Sequence, residues 1–292
     1  MKKLFFLTVF LITTVVSFGE ESKGILYKAI NGNKTIYFYG IIDIPYKKVE
    51  SIDDKIYPLM NEVDFIFIFS KYVDWNEENY QKLNAKYLHN GMYLNGDQLK
   101  NHLSSESLQI VKENLLSSQE TLENSGINTI KPWLALTILR TIKKQKYPED
   151  EIMDLDYYLL DYILNNSDME SDLELWSTWE ETADNIMAIP DDEADRLIAY
   201  ENDDANIENL YKYWKNGDEN QLKKIYEERE IIANSTKNKE MIESNYKFLS
   251  RFEEILKEKN KMFIITDVNL LFSKNSILSF FENKGYKIER VN

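Results

Sequence analysis

Apolar residues cluster into short continuous runs near both ends of the chain and recur at helical spacing through its middle. Ile25 to Ile30 and Thr35 to Ile42 are strand-like runs joined by Asn31-Gly32-Asn33, and an Asn-Gly pair between apolar runs predicts a hairpin. Ser51 or Asp53 is placed to cap a short helix ending near Met60. Asp64 to Ser70 (DFIFIFS) is unbroken enough to predict a strand buried on both faces.

From Glu77 to about Asn260 the spacing turns helical. Leu108, Val111, Leu115 and Leu116 share one face, and a second helix is predicted from Pro132 to Lys144, with proline at its first position. The pattern continues from Asp156 to Leu164. Asp172 to Trp176 predicts one further short strand, and helices fill Thr178 to Gly217. Asn216-Gly217 is a stop signal and Asp218 a cap for the next helix. A long amphipathic helix is predicted from about Lys237 to Lys259. The chain then returns to strand at Lys261 to Thr266, helix at Ser276 to Asn283, and an edge strand at Tyr286 to Val291. Strands from both termini around a helical middle predict an α/β fold whose central mixed sheet is built from the two ends of the chain. No repeat of fixed period interrupts this pattern.

The first residues bear on location. Lys2-Lys3, an apolar run from Leu4 to Val16, and the small residues Ser17 and Gly19 make a secretory signal with cleavage after Gly19. The expected division is therefore a signal peptide at 1–19 and a single domain at 20–292, exported to the periplasm or the extracellular space. The run is short for a membrane anchor, which takes about 20 residues. No cysteine follows to carry a lipid, and no membrane association is expected after cleavage.

Composition then removes whole classes of function. The chain carries 35 Lys and Arg against 50 Asp and Glu, a formal charge of −15, and loss of residues 1–19 makes it two units more negative. Such acidity disfavours nucleic acid and anionic membranes as partners. With no cysteine there is no disulfide, no thiol nucleophile and no thiolate zinc site. No Gly-x-Ser-x-Gly and no phosphate-cradling glycine loop is present. His89 and His102 are the only histidines, and both read as surface residues of the polar segment Lys86 to Ser104.

The candidate chemistry lies where core strands end. Gly40-Ile41-Ile42-Asp43 closes the second strand before Pro45, and Asp267 closes the strand Lys261 to Thr266. Two carboxylates with Asn245 or Asn269 nearby would suit an oxygen-preferring cation such as Ca²⁺, Mg²⁺ or Mn²⁺. The plainer reading makes Asp43 a turn residue and Asp267 a strand-end cap. Trp176 and Trp179 with Tyr157, Tyr158 and Tyr162 read either as an aromatic platform or as core, and the acidic stretch Asp191 to Asp204 as a solvated helix face.

Taken in order, the motifs form a series: Gly40-x-x-Asp43, Tyr57-Pro58-Leu59, the strand after Asp64, Lys131-Pro132-Trp133-Leu134-Ala135, Asp156-Tyr157-Tyr158-Leu159-Leu160-Asp161, Tyr213-Trp214-Lys215-Asn216-Gly217-Asp218, Asn245, Phe263-Ile264-Ile265 and Gly285-Tyr286-Lys287-Ile288. This series resembles the TraB/GumN family, which includes the Tiki membrane proteases, from about Gly24 to Val291. The resemblance implies a metal-dependent hydrolase with two Gly-x-x-His motifs, a glutamate from the second core strand and an Arg-Asn pair on the long helix. Each of these points is altered here. Asp43 stands for the first histidine, and Phe69 or Ser70 for the glutamate. Ser244-Asn245 keeps only the asparagine. Leu270, or Asn269 with a one-residue slip, stands for the second histidine, with Asp267 for its glycine. An expected Leu-Glu pair reads Leu175-Trp176. The expectation is a relative that has lost the family's chemistry, needs no cofactor, and persists as a binding or scaffold protein for a protein or small-molecule partner. The alternatives are a hydrolase with an altered oxygen-ligand site at Asp43 and Asp267, and a ligand-binding module with a cleft lined by Phe69, Trp176 and Leu270.

Overall fold

A computed structural model describes residues 24–42, 54–69, 77–116, 125–145, 155–166, 172–176, 179–232, 249–272 and 276–291. Six strands form one mixed sheet: β1 (Ile25–Asn31), β2 (Lys34–Ile41), β3 (Phe65–Phe69), β4 (Asp172–Trp176), β5 (Lys261–Asp267) and β6 (Lys287–Arg290), in the order β4-β3-β5-β2-β1-β6. The sheet thus joins the two ends of the chain, as its apolar runs predict. β1 and β2 pair antiparallel around Gly32, whose φ of +59° a side chain would resist. β6 pairs antiparallel with β1 at the edge. β2, β3, β4 and β5 run parallel. Their near-continuous Ile and Phe content fits strands covered on both faces.

Both faces are covered. On one, Phe67 and Phe38 meet Phe252 and Phe281. Phe252 comes from α10, helical over 249–258, and Phe281 from α12 (Ile277–Asn283), whose cap is Ser276. On the other, Tyr39 packs edge-on against Trp214 of α8 (Asp204–Lys215). The remaining helices around this core are α1 (Ile56–Asn61), α5 (Leu155–Asn165), α9 (Glu219–Ile232) and α11 (Val268–Phe272). A second buried cluster is made by α2 (Glu77–Asn90), α3 (Ser105–Leu115), α4 (Pro132–Gln145), α6 (Trp179–Met187) and α7 (Asp191–Asn202).

Several local expectations are met and several corrected. Pro132 opens α4 and Trp133 is buried against Tyr87. Asn216 and Gly217 end α8, and the Asp218 side chain accepts from the Gln221 N–H to start α9. The first turn of α1 has Lys55 at its cap position with no side-chain cap, while Ser51 and Asp53 lie outside the described residues. Of the long helix expected from Lys237, residues 249–258 are described. The acidic stretch from Asp191 is not merely solvated: Glu193 is buried and Asp195 accepts hydrogen bonds from the backbone N–H and hydroxyl of Ser104.

Candidate functional site

Parallel strands deliver their C-terminal ends to one edge of a sheet, the place where open α/β folds bind ligands. Here that edge is marked by Ile41, Phe69, Trp176 and Asp267. β2 and β5 are direct neighbours, with Gly40 opposite Thr266 and Ile41 opposite Asp267. The strands that carry the candidate motifs are therefore brought together. Asp43 itself lies two residues beyond β2 and outside the described residues, as do Asn245 and Ser70.

The short helix after β5 has no clear signal in the sequence. The chain passes at once into α11, and Asp267 Oδ1 accepts from the Asn269 N–H at 2.7 Å. That bond is the strand-end cap of the plainer reading. Helix α11 lies on β2 and β5, and its Val268 and Leu271 side chains are buried over Gly40. A methyl group at Gly40 would stand 2.7 Å from Leu271 Cδ1, 2.8 Å from Val268 Cγ2 and 3.2 Å from Ile25 Cβ. Glycine is thus required at residue 40 so that α11 can close on the sheet. From α8, the Trp214 indole donates to the Gly40 carbonyl at 2.7 Å in a buried contact. By sequence alone Trp214 is only part of a helix end.

The edge carries few groups able to ligate a cation. Thr266 Oγ1 and Asn269 Oδ1 are buried oxygens without a hydrogen-bond partner among the described residues. A divalent cation such as Ca²⁺ takes about six to eight oxygens, several of them charged. Two neutral oxygens and one carboxylate already engaged by Asn269 do not make that shell. Among the described residues no group of three His, Cys, Asp or Glu is arranged to hold a metal ion. The described residues at this edge do not fit the family's metal. Phe69 and Leu270 are half-buried and pack against the main core. Tyr158 and Tyr162 do the same, with the Tyr57 ring 4.4 Å from Tyr162.

One polar cluster beside this edge has no signature in the sequence. Tyr27 of β1 lies opposite Arg290 of β6, whose guanidinium sits 5.3 Å over the Tyr27 ring and donates to the Gly24 carbonyl. Tyr27 is hydrogen-bonded to Glu219 in the first turn of α9, and Glu219 is paired with Lys223. Burial, then the hydrogen bond and charge of Glu219, push the Tyr27 phenol well above its usual range. Burial raises the Glu219 carboxyl, but hydrogen bonds from Lys223 and Tyr27 outweigh it and leave it below the usual value. One carboxylate thus faces two cationic side chains, Lys223 and Arg290, across a protonated phenol. The cluster joins α9 to the sheet edge. The β1–β6 register pairs Tyr27 with Arg290, and the packing of α9 adds Glu219 and Lys223, so no local motif announces the cluster.

A Leu-Glu pair does occur on β4, two residues before the aligned one, as Leu173-Glu174. Its glutamate takes three hydrogen bonds at 2.8–3.1 Å from Nε and Nη2 of Arg251 on α10, so it is a tie between strand and helix.

The model for the TraB/PrgY/gumN family matches residues 25–290, from the start of β1 to the end of β6. The chain belongs to this family. No curated protein and no solved structure gives a significant match. The TraB/PrgY/gumN match spans the sheet and both buried clusters.

Proposed function

We propose that this TraB/PrgY/gumN member is an exported, non-catalytic protein that works by binding a protein or small-molecule partner. The observation that carries this reading is the closure of the strand-end edge. Val268 and Leu271 pack over Gly40 and the Trp214 indole holds its carbonyl, where hydrolysis would need ionisable side chains around a water. Export rests on residues 1–19, and no described helix is long and apolar enough to cross a membrane. The acidity of the chain argues for partners other than nucleic acid.

A second reading keeps an oxygen-ligand cation at Asp43 and Asp267. Thr266 Oγ1 and Asn269 Oδ1, buried and without a hydrogen-bond partner among the described residues, favour it, since both lie within two residues of Asp267. The deciding experiment is the melting temperature of the purified protein across Ca²⁺, Mg²⁺, Mn²⁺, Co²⁺ and Zn²⁺, with Asp43→Ala beside it. A cation that binds only the folded state raises the apparent stability. The binding-protein reading expects no shift with any of them and no chelator-sensitive peptide cleavage. A rise with one hard cation, lost in Asp43→Ala, overturns it in favour of the hydrolase.

A further inference from the structure

His102 comes directly after a single 3₁₀ turn (Leu99–Asn101) in the helical cluster, away from the strand-end edge. Both of its ring nitrogens meet carboxylates: Nε2 is 2.8 Å from Asp97 Oδ2, and Nδ1 is 2.8 Å from Asp191 Oδ2. Its ring stacks on Tyr93 with centroids 4.9 Å apart. The Tyr93 hydroxyl also donates to Asp191 Oδ2, at 3.3 Å. The groups that face the imidazole are therefore Asp97 and Tyr93 from its own segment and Asp191 from α7. Asp195, one turn further along α7, is occupied by Ser104, and Lys100 is exposed.

We propose that His102 is a pH-sensitive latch that fastens the segment from Gly91 to Ser104 onto the first turn of α7. The inventory of donors and acceptors decides its sense. An imidazolium donates from both nitrogens, so it satisfies both carboxylates at once. A neutral imidazole keeps one N–H and turns a lone pair toward the other carboxylate oxygen 2.8 Å away, so an attraction becomes a repulsion. Whichever tautomer forms, one of the two bonds is lost.

The two bonds are not equivalent. The Asp97 bond lies within the segment, and Asp97 also accepts from the Gln98 N–H and the Asn101 amide at 2.8 and 2.9 Å. The Asn101 and His102 hydrogen bonds hold the Asp97 carboxyl down at about 2, so it is ionised throughout the neutral range. The Asp191 bond crosses to α7. Other crossing ties do not involve the imidazole: the Tyr93 hydroxyl on Asp191, Ser104 on Asp195, and the Ser107 hydroxyl on the Asp195 carbonyl at 2.8 Å. Deprotonation therefore loosens the segment without detaching it.

The test is amide hydrogen exchange of the purified protein from pH 5 to beyond the pH at which NMR shows the His102 ring losing its second proton, corrected for intrinsic exchange rates. In the wild type, protection of amides in 97–104 and 191–195 should fall by about tenfold or more as the pH rises, the scale of one charge-assisted hydrogen bond. His102→Gln should show no such fall, and His89→Gln, at the exposed end of α2, should keep the wild-type profile. Followed by NMR in the wild type, the two ring nitrogens of His102 should both carry protons at the acidic end of the range and only one at its basic end. This readout needs no variant to fold. A ring with a single proton at pH 5, or a wild-type exchange profile that matches that of His102→Gln, overturns the proposal.

Discussion

The Trp214 indole N–H and the Gly40 carbonyl oxygen, 174 residues apart in sequence, meet at 2.7 Å in the buried layer above the sheet. This bond fixes α8 to the end of β2. Trp214 is fully buried and its ring also packs edge-on against Tyr39. Trp214→Phe keeps most of the ring and removes the donor. The expected cost is about 1–3 kcal/mol, the range for a buried group that loses its hydrogen-bond partner. Trp214→Ala should cost about 3–5 kcal/mol. Urea unfolding of the two variants checks both figures, and a Trp214→Phe protein as stable as wild type would show that the bond contributes nothing.

Closure of the strand-end edge makes a separate prediction at Gly40. An added methyl must displace Leu271 Cδ1 and Val268 Cγ2, both nearer than 3 Å. Leu271 Cδ1 is the tip of a flexible side chain, whereas Val268 is β-branched and stiff. Gly40→Ala is expected to destabilise by about 1–3 kcal/mol. Adding Leu271→Ala should recover only part of this, so the double variant should be less destabilised than the sum of the single changes. Simple additivity in denaturant midpoints would mean that α11 does not close on Gly40.

Much of this framework is legible in the sequence, because strands and helices are local patterns. The hairpin around Gly32, the DFIFIFS strand, the Asp172–Trp176 strand and the Pro132 helix start all lie where the pattern puts them. The site is legible only in part. The ends of the strands β2 and β5 are marked by the sequence, and the place of Asp267 at a strand end points to its cap. α11 escapes detection because five residues are too few to show a helical period. Trp214 over Gly40, Arg251 on Glu174 and the Asp97–His102–Asp191 arrangement escape it for another reason. Each depends on side chains that only the folded chain brings together, and no single stretch carries the signal.

A third prediction concerns acid stability and rests on Asp64. From the start of β3 its Oδ2 accepts from the backbone N–H groups of Asn260 and Lys261, each at 2.9 Å, and so holds the start of β5 in register. These bonds, chiefly the one from Lys261, hold the carboxyl below its ordinary value despite some burial. A carboxyl lowered on folding stabilises the native state above its unfolded value, and this contribution is lost as pH falls through the folded one. Asp64→Asn keeps an acceptor oxygen but has no such titration. Its stability should therefore fall less steeply than that of the wild type below about pH 4. Chemical denaturation from pH 3 to pH 7 measures the two slopes, and parallel curves would remove Asp64 from the acid response.

The last prediction weighs the Arg251–Glu174 tie. Its geometry is favourable, with Nε and Nη2 both directed at one carboxylate, which is the arrangement in which guanidinium groups bind best. Its setting is less so, since the two side chains remain 42% and 25% exposed and water screens the pair. Exposure decides the magnitude. A double-mutant cycle of Arg251→Ala and Glu174→Ala should return a coupling of about 0.5–1 kcal/mol, falling in high salt. β4 is the sheet's outer strand, and α10 reaches it here from the face that also holds Phe252 against Phe67. If the tie serves mainly to hold that edge strand, loss of Arg251 should speed amide exchange in β4 while leaving β2 and β5 protected. Uniform loss of protection across the sheet would instead place the pair in the global stability of the fold.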